Sequence, residues 1–232
     1  MTEPPERRNF YGRVHGKTLR ASQKDYLARD LESLRLRGVV AWENPRRAPL
    51  DPAMLFATPR PIWVEVGFGG GEHLVHMAAL YPEVGIIGCE PFVNGVAMLL
   101  GKIRQARVRN LWIHPGDARD LFDVLPAASV DKVFLNYPDP WPKARHHRRR
   151  FVTPGYLALL ARVMKPGAEF RVATDIADYV RQTLEEVPKA GFVLTHQGGQ
   201  GEAWPDWLST RYEQKALREG RSPNYLSFVR AA

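Results

Sequence analysis

Polar, arginine-rich and proline-rich positions dominate the first sixty residues. They are interrupted by one helical periodicity from Ser22 to Leu36 and closed by a proline-containing connection from Asn44 to Pro61. From Ile62 the pattern changes: short apolar runs alternate with stretches of helical period, the sequence sign of parallel strands joined by crossover helices. The runs predict strands at Ile62–Val66, Val84–Cys89, Leu111–His114, Val130–Asn136, Ala168–Thr174 and Phe192–Thr195. A last strand, Tyr225–Val229, is expected antiparallel to its neighbour. The intervening stretches predict helices at Glu72–Leu80, Phe92–Ala106, Pro154–Met164 and Asp178–Ala190. The expected organisation is an appended basic arm, 1–60, and one α/β domain, 61–232, whose mostly parallel sheet carries helices on both faces.

Composition narrows this picture without changing it. The 232 residues, 44% of them hydrophobic, suffice for one substantial core. Lys and Arg number 33 against 25 Asp and Glu, so the net charge of +8 suits a polyanionic partner as well as simple solubility. The single cysteine, Cys89, excludes an internal disulfide framework and favours a reducing compartment. Met1 to Arg8 carry no apolar signal core, and no run approaches the length of a membrane span. A cytoplasmic protein with no membrane partner is expected. Cys89, inside an apolar strand, is expected to be buried and inert.

In an open sheet of this kind ligands bind beyond the carboxyl ends of the strands, and the informative residues fall there. The first strand runs into Glu65-Val66-Gly67-Phe68-Gly69-Gly70-Gly71-Glu72, a glycine-rich turn opening a helix. Its Gly-x-Gly-x-Gly spacing is not the phosphate-binding Gly-x-Gly-x-x-Gly. Glu65 would repel a pyrophosphate, whereas it suits a ligand carrying an amino group and a sulfonium. Glu90 follows the second strand, where a carboxylate accepts hydrogen bonds from ribose hydroxyls, a position that also fits NAD. Asp117 ends the third strand, placed to accept from an adenine amino group. Each acid alone reads equally well as a helix cap or a solvated turn residue. Three at successive strand ends favour adenosylmethionine over a dinucleotide.

After the fourth strand come Pro138-Asp139-Pro140-Trp141-Pro142, three prolines in five residues, which end the sheet and stiffen a loop over the same edge. The next eight residues, Lys143 to Arg150, hold five Lys or Arg and no acid. Such a run is either a solvated surface turn or a cradle for phosphates. His146 and His147 are adjacent in sequence and lack nearby Cys or acid partners, so no metal is expected.

These residues together resemble the single-chain bacterial tRNA (guanine-N7)-methyltransferase family. The likeness rests on Pro138 to Lys143 with the His-His and arginine run behind it. Glu65 to Glu72, Ala173-Thr174-Asp175 and Thr210-Arg211-Tyr212-Glu213 add to it, and the arm's Phe10-Tyr11-Gly12-Arg13 and Leu19-Arg20 extend it over most of the chain. Ala144 and Tyr137 depart from it, standing where Lys and Phe are frequent.

The resemblance implies a Rossmann-like class I S-adenosylmethionine-dependent methyltransferase with a seven-stranded sheet. The implied activity is methyl transfer to guanine N7 in the variable loop of tRNA, conventionally position 46. It implies cofactor contacts at Glu65, Gly67, Gly69, Glu90, Asp117 and Asp139, with Asp139 catalytic. Substrate contacts are implied at Lys143, Asp175, Thr210, Arg211, Tyr212 and Glu213, and RNA contacts at Arg145, His146, His147, Arg148, Arg149 and Arg150. A monomer or homodimer is expected.

Structural readings stand beside several of these. Asp139 would cap the proline turn; Asp175 and Thr210 would be helix caps; Glu213 would complete a capping box with Thr210. Trp141, Trp204 and Trp207 would serve packing. Rival functions are methylation of another RNA position or a small molecule, RNA binding without catalysis, and nucleotide-dependent redox chemistry.

Overall fold

Five parallel strands, β1 (Ile62–Val66), β2 (Gly85–Cys89), β3 (Leu111–His114), β4 (Val130–Asn136) and β5 (Met164–Thr174), form most of one sheet. The sheet is completed by β6 (Phe192–Gly198) and β7 (Asn224–Arg230), in the order β3-β2-β1-β4-β5-β7-β6. The last strand inserts between β5 and β6 and runs antiparallel to both. The computed structural model describes residues 11–232, so Met1 to Arg8 and Phe10 of the expected arm lie outside the described residues. Among the described residues no helix is long and apolar enough to cross a membrane.

Alternation along the strands divides the core between the two faces. Ile62, Val64, Val133 and Leu135 point to one side, where they meet α5 (Ala118–Val124), α6 (Pro154–Val163) and α7 (Ala177–Glu186) through Leu121, Phe122, Leu157, Leu160 and Tyr179. Trp63 and Phe134 point to the other side, against Leu74 and Met77 of α3 (Glu72–Leu80) and Val96 and Leu99 of α4 (Val93–Ala106). Helix α6 begins with Pro154 in its first turn, where a missing N–H costs nothing. Helix α7 stops at Glu186, and the expected run to Ala190 continues only as a short 3-10 turn from Pro188, which has no N–H to extend the ladder.

Three further departures from the expected elements have local causes. The helix expected from Ser22 to Leu36 breaks into α1 (Ala21–Arg29) and α2 (Leu31–Leu34). Arg35 then bridges to Ile113, and Leu36 and Val39 drop into the core, so burial overrides continued helix. From α1 onward the segment packs on the domain, with α1 against α4. Strand β5 starts at Met164, four residues early, because a register irregularity opposite Val130–Lys132 accommodates Pro166 and Gly167. Helices α5 and α8 (Arg211–Arg218) are absent from the expected helices, though the cap readings of Asp117 and Thr210 fall on their starts; Asp117 caps Arg119 N and Thr210 caps Glu213 N.

Chain order reverses at β1: successive strands step outward through β2 and β3, then return to β4 on the other side. The crevice at the carboxyl ends of β1 and β4 is the topological switch point, where open α/β sheets place ligands.

Candidate active site

At that crevice lies a cleft of about 890 Å³. Its floor is the turn between β1 and α3. Gly67 donates its N–H to the Cys89 carbonyl at 2.8 Å, and Gly69 takes a left-handed conformation with φ +56°. The start of α4 presses so closely on this turn that a side chain at Gly95 would collide with the Gly69 carbonyl. Glu90, at the end of β2, clasps both pieces, accepting from Gly69 N at 2.7 Å and Phe92 N at 2.9 Å. Burial pushes the Glu90 carboxyl up to about 7, against the pull of those two N–H groups.

Beyond β3, Asp117 lines the cleft and caps α5, accepting from Arg119 N at 2.9 Å and Arg119 Nε at 3.0 Å. Val66, Leu135, Ala118, Phe151 and Tyr156 supply apolar wall.

The opposite rim is the loop after β4. Tyr137 (φ +49°) and Trp141 (φ +40°) both hold the left-handed backbone that bulky side chains avoid, bracketing Pro138 to Pro140. Three contacts hold this strained turn: Tyr137 N to the Ala173 carbonyl at 2.7 Å, Tyr137 Oη to Glu213 at 3.2 Å, and Arg150 Nε to the Pro140 carbonyl at 2.8 Å. Asp139 stands exposed at the mouth and, among the described residues, receives no cap hydrogen bond. The surrounding walls raise its carboxyl above the usual range, and Arg13 draws it back. Arg149 packs over both Tyr11 and Trp141, 4.6 and 4.8 Å from their centroids, where those rings meet edge to face.

Residues 59–225 match the model of a family of putative methyltransferases. The tRNA (guanine-N(7)-)-methyltransferase of Paracoccus denitrificans is 74% identical over 226 residues, covering 97% of this chain and 96% of the relative. The chain belongs to the tRNA (guanine-N7)-methyltransferase family. The enzyme of the same name from Rhizobium meliloti is 47% identical, covering 96% of this chain and 95% of its own. Two solved structures share the class I methyltransferase fold. One is a 16S rRNA (adenine(1408)-N(1))-methyltransferase from Catenulisporales acidiphilia, 19% identical with a TM-score of 0.52 over 74% of this chain and 86% of that one. The other is an antibiotic-related methyltransferase, 17% identical with a TM-score of 0.55 over 83% and 98%.

Of the residues that likeness to the tRNA (guanine-N7)-methyltransferase family singled out, Gly67, Gly69, Glu90, Asp117, Asp139, Arg149, Arg150 and Tyr212 line the cleft. Glu65 does not. It points to the α3 face, buried, with its carboxylate 2.9 Å from His73 Nδ1 and 3.5 Å from Asn136 Nδ2. Asp175 is bound 2.5 Å from Arg221 Nε. Thr210 caps α8, but the capping box is only half made, since the Glu213 carboxylate turns to Tyr137 and Trp207 instead of returning to Thr210 N. Arg211 lies beside Glu72, at 4.0 Å, and Met98.

Along the basic run, Lys143, Arg145 and Arg148 are exposed, His146 and His147 half-buried, and His147 sits 3.2 Å from Asp178. Arg150 corrects the expectation of an RNA-facing arginine: its side chain is fully buried, consumed by Pro140, Asp178 and Gln182. Sequence reasoning missed Tyr156, Tyr137 and the cleft-facing placement of Tyr11 and Arg13. Only the arm's aromatic and basic pattern hinted at the last two. Among the described residues no group of His, Cys, Asp and Glu could hold a metal ion.

Proposed function

We propose that this protein transfers a methyl group from S-adenosylmethionine to N7 of a guanine in tRNA, the variable-loop guanine conventionally numbered 46. The observation that carries the reading is one cleft that combines a glycine cradle, carboxylates at two strand ends and a braced acidic loop leading straight into exposed arginines.

The residues present fit the cofactor. Glu90 spends two of its lone pairs on Gly69 and Phe92, which leaves acceptor capacity for ribose hydroxyls. Asp117 lines the next position for an adenine amino group, and the apolar walls suit the purine. The open backbone at Gly67, where a side chain would meet no protein atom, leaves room for a ligand. When bound, S-adenosylmethionine supplies an electrophilic methyl group.

Guanine N7 carries an in-plane lone pair and no proton, so the protein's task is alignment more than general-base catalysis. Asp139 on its rigid loop aligns the reacting edge and balances the positive charge that the product ring acquires. Asp175 or Glu213 accepts from guanine N1 and N2. Lys143, Arg145 and Arg148 hold phosphates beside the mouth, supplying affinity without sequence information.

Residues 1–60 form the N-terminal extension, whose Tyr11 to Arg13 line the cleft and whose part from α1 onward packs on the catalytic domain, 61–232. The expected assembly is a monomer or a homodimer. With tRNA as substrate and a single buried cysteine, the cytoplasm is the expected compartment.

Incubation with labelled S-adenosylmethionine and unmodified tRNA, followed by chemical cleavage at 7-methylguanine, tests the reading. Cleavage at the variable loop is expected. Methylation at another position would overturn the specific assignment, and cofactor binding with no transfer would favour RNA binding without catalysis.

A further inference from the structure

Glu213 occupies the first turn of α8 and is only 5% exposed. A carboxylate taken that far from water needs donors around it, and it has them inside the protein. Its Oε2 accepts from Trp207 Nε1 at 2.7 Å and Tyr137 Oη at 3.2 Å, and burial together with its charge raises the pKa of the nearby Tyr225 hydroxyl. The two donors come from different parts of the fold: the head of the Asp139 loop and the segment before α8. Trp204, Trp207 and Tyr225 pack edge to face around them, closing the pocket.

Resting on the reading of this cleft as the methyl-transfer site, we infer that Glu213 is a positioning residue that ties the Asp139 loop to the glycine cradle, and is not the group that reads the guanine edge. Two observations support the tie. Tyr137 holds a left-handed backbone, which persists only where surrounding contacts over-determine it, and its hydroxyl ends on Glu213. The residue next to Glu213, Tyr212, lays its ring against Gly69 on the opposite wall. The first turn of α8 therefore touches both sides of the cleft at once, with Glu213 gripping the loop and Tyr212 the cradle.

The alternative role asks Glu213 to offer acceptors outward to guanine N1 and N2, yet its donors are already internal and little of its surface is open. Asp175, at the end of β5 and paired with the half-exposed Arg221, keeps the base-reading role.

The test compares kcat and KM for tRNA in wild type, Glu213→Gln and Tyr137→Phe, on tRNA carrying either guanine or inosine at the target position. Inosine lacks the 2-amino donor. The tie predicts that Glu213→Gln lowers kcat by about 10- to 100-fold, since small misplacements of a reacting group cost that much. KM changes little, and the loss is the same on both tRNAs. Tyr137→Phe, which removes one hydroxyl and leaves the Trp207 donor, moves kcat in the same direction by less.

Amide hydrogen exchange of residues 138–143, without cofactor or tRNA, should quicken in both variants. A Glu213→Gln penalty that shrinks on inosine tRNA, or loop exchange unchanged in the folded Tyr137→Phe protein, would overturn the tie. Failure of wild type to methylate guanine N7 would instead sink the functional reading, with hydrogen exchange still deciding the tie.

Discussion

Arg150 Nε lies 2.8 Å from the carbonyl of Pro140, ten residues back along the chain. The other side of the same guanidinium reaches Asp178 and Gln182 of α7, each at 2.8 Å, and stacks over Tyr179. The last arginine of the basic run is therefore a strut that fixes the proline loop to the body of the domain. Lysine has one compact ammonium and cannot serve acceptors on opposite sides. Arg150→Lys and Arg150→Met should each lower unfolding free energy by about 2–4 kcal/mol in urea melts, the range for breaking a buried, hydrogen-bonded charge. A change under about 0.5 kcal/mol would show that the loop stands without it.

Arg145 and Arg148 occupy the same run but face solvent. Arg145→Ala and Arg148→Ala should leave the urea midpoint unchanged and weaken tRNA binding. Each should reduce the slope of log affinity against log salt by about 1. Unchanged slopes in both variants would move the phosphate path elsewhere on the surface.

Asp139 stands exposed on its braced loop with Arg13 nearby and no hydrogen bond to a described residue, so its carboxylate stays open to a ligand. Asp139→Asn keeps the shape and removes the charge. Single-turnover methylation should fall by about 100-fold or more, with cofactor affinity changed far less. Rates near wild type would remove Asp139 from the mechanism.

Glu90 makes the protein sensitive to pH. Burial raises its carboxyl from an ordinary 4.5 to about 7 in the folded state. Between those values the folded protein holds a proton that the unfolded chain has released. This contribution to stability is therefore greatest at the acid end, falls as pH rises through that window, and levels above about 7. Its size is at most about 3 kcal/mol. Glu90→Gln should flatten that part of the stability profile. In wild type the KM for S-adenosylmethionine should fall as pH rises through about 7, when the carboxylate becomes a full acceptor. An unchanged KM between pH 6 and 8 would remove Glu90 from the ribose site.

The strands were legible because alternation and apolar runs report burial directly. The expected spans Ile62–Val66, Leu111–His114 and Val130–Asn136 coincide with β1, β3 and β4. Short helices were not legible. Helix α5 is seven residues and α8 eight, each too brief for periodicity to stand out, so only the caps at Asp117 and Thr210 hinted at them. The site was legible where spacing fixes geometry, as in the glycine turn and the proline loop. It was misread where the direction of a side chain decides, because a strand reverses direction at every residue. Thus Val66 lines the cleft while Glu65 turns to His73 on the other face.

The proline-flanked Asp139 with its basic extension was recognisable by composition alone, since three prolines stop a strand and five cations without an acid mark an electrostatic surface. That marked the segment as a candidate site; the class of chemistry and the tRNA partner came from the family resemblance. The tertiary structure divided the run by task, burying Arg150 as a strut, packing Arg149 against Tyr11 and Trp141, and leaving Lys143, Arg145 and Arg148 in solvent. Identical charges in sequence differ in function because burial and hydrogen-bond partners come from α7 and the N-terminal arm, segments that only folding brings to the loop.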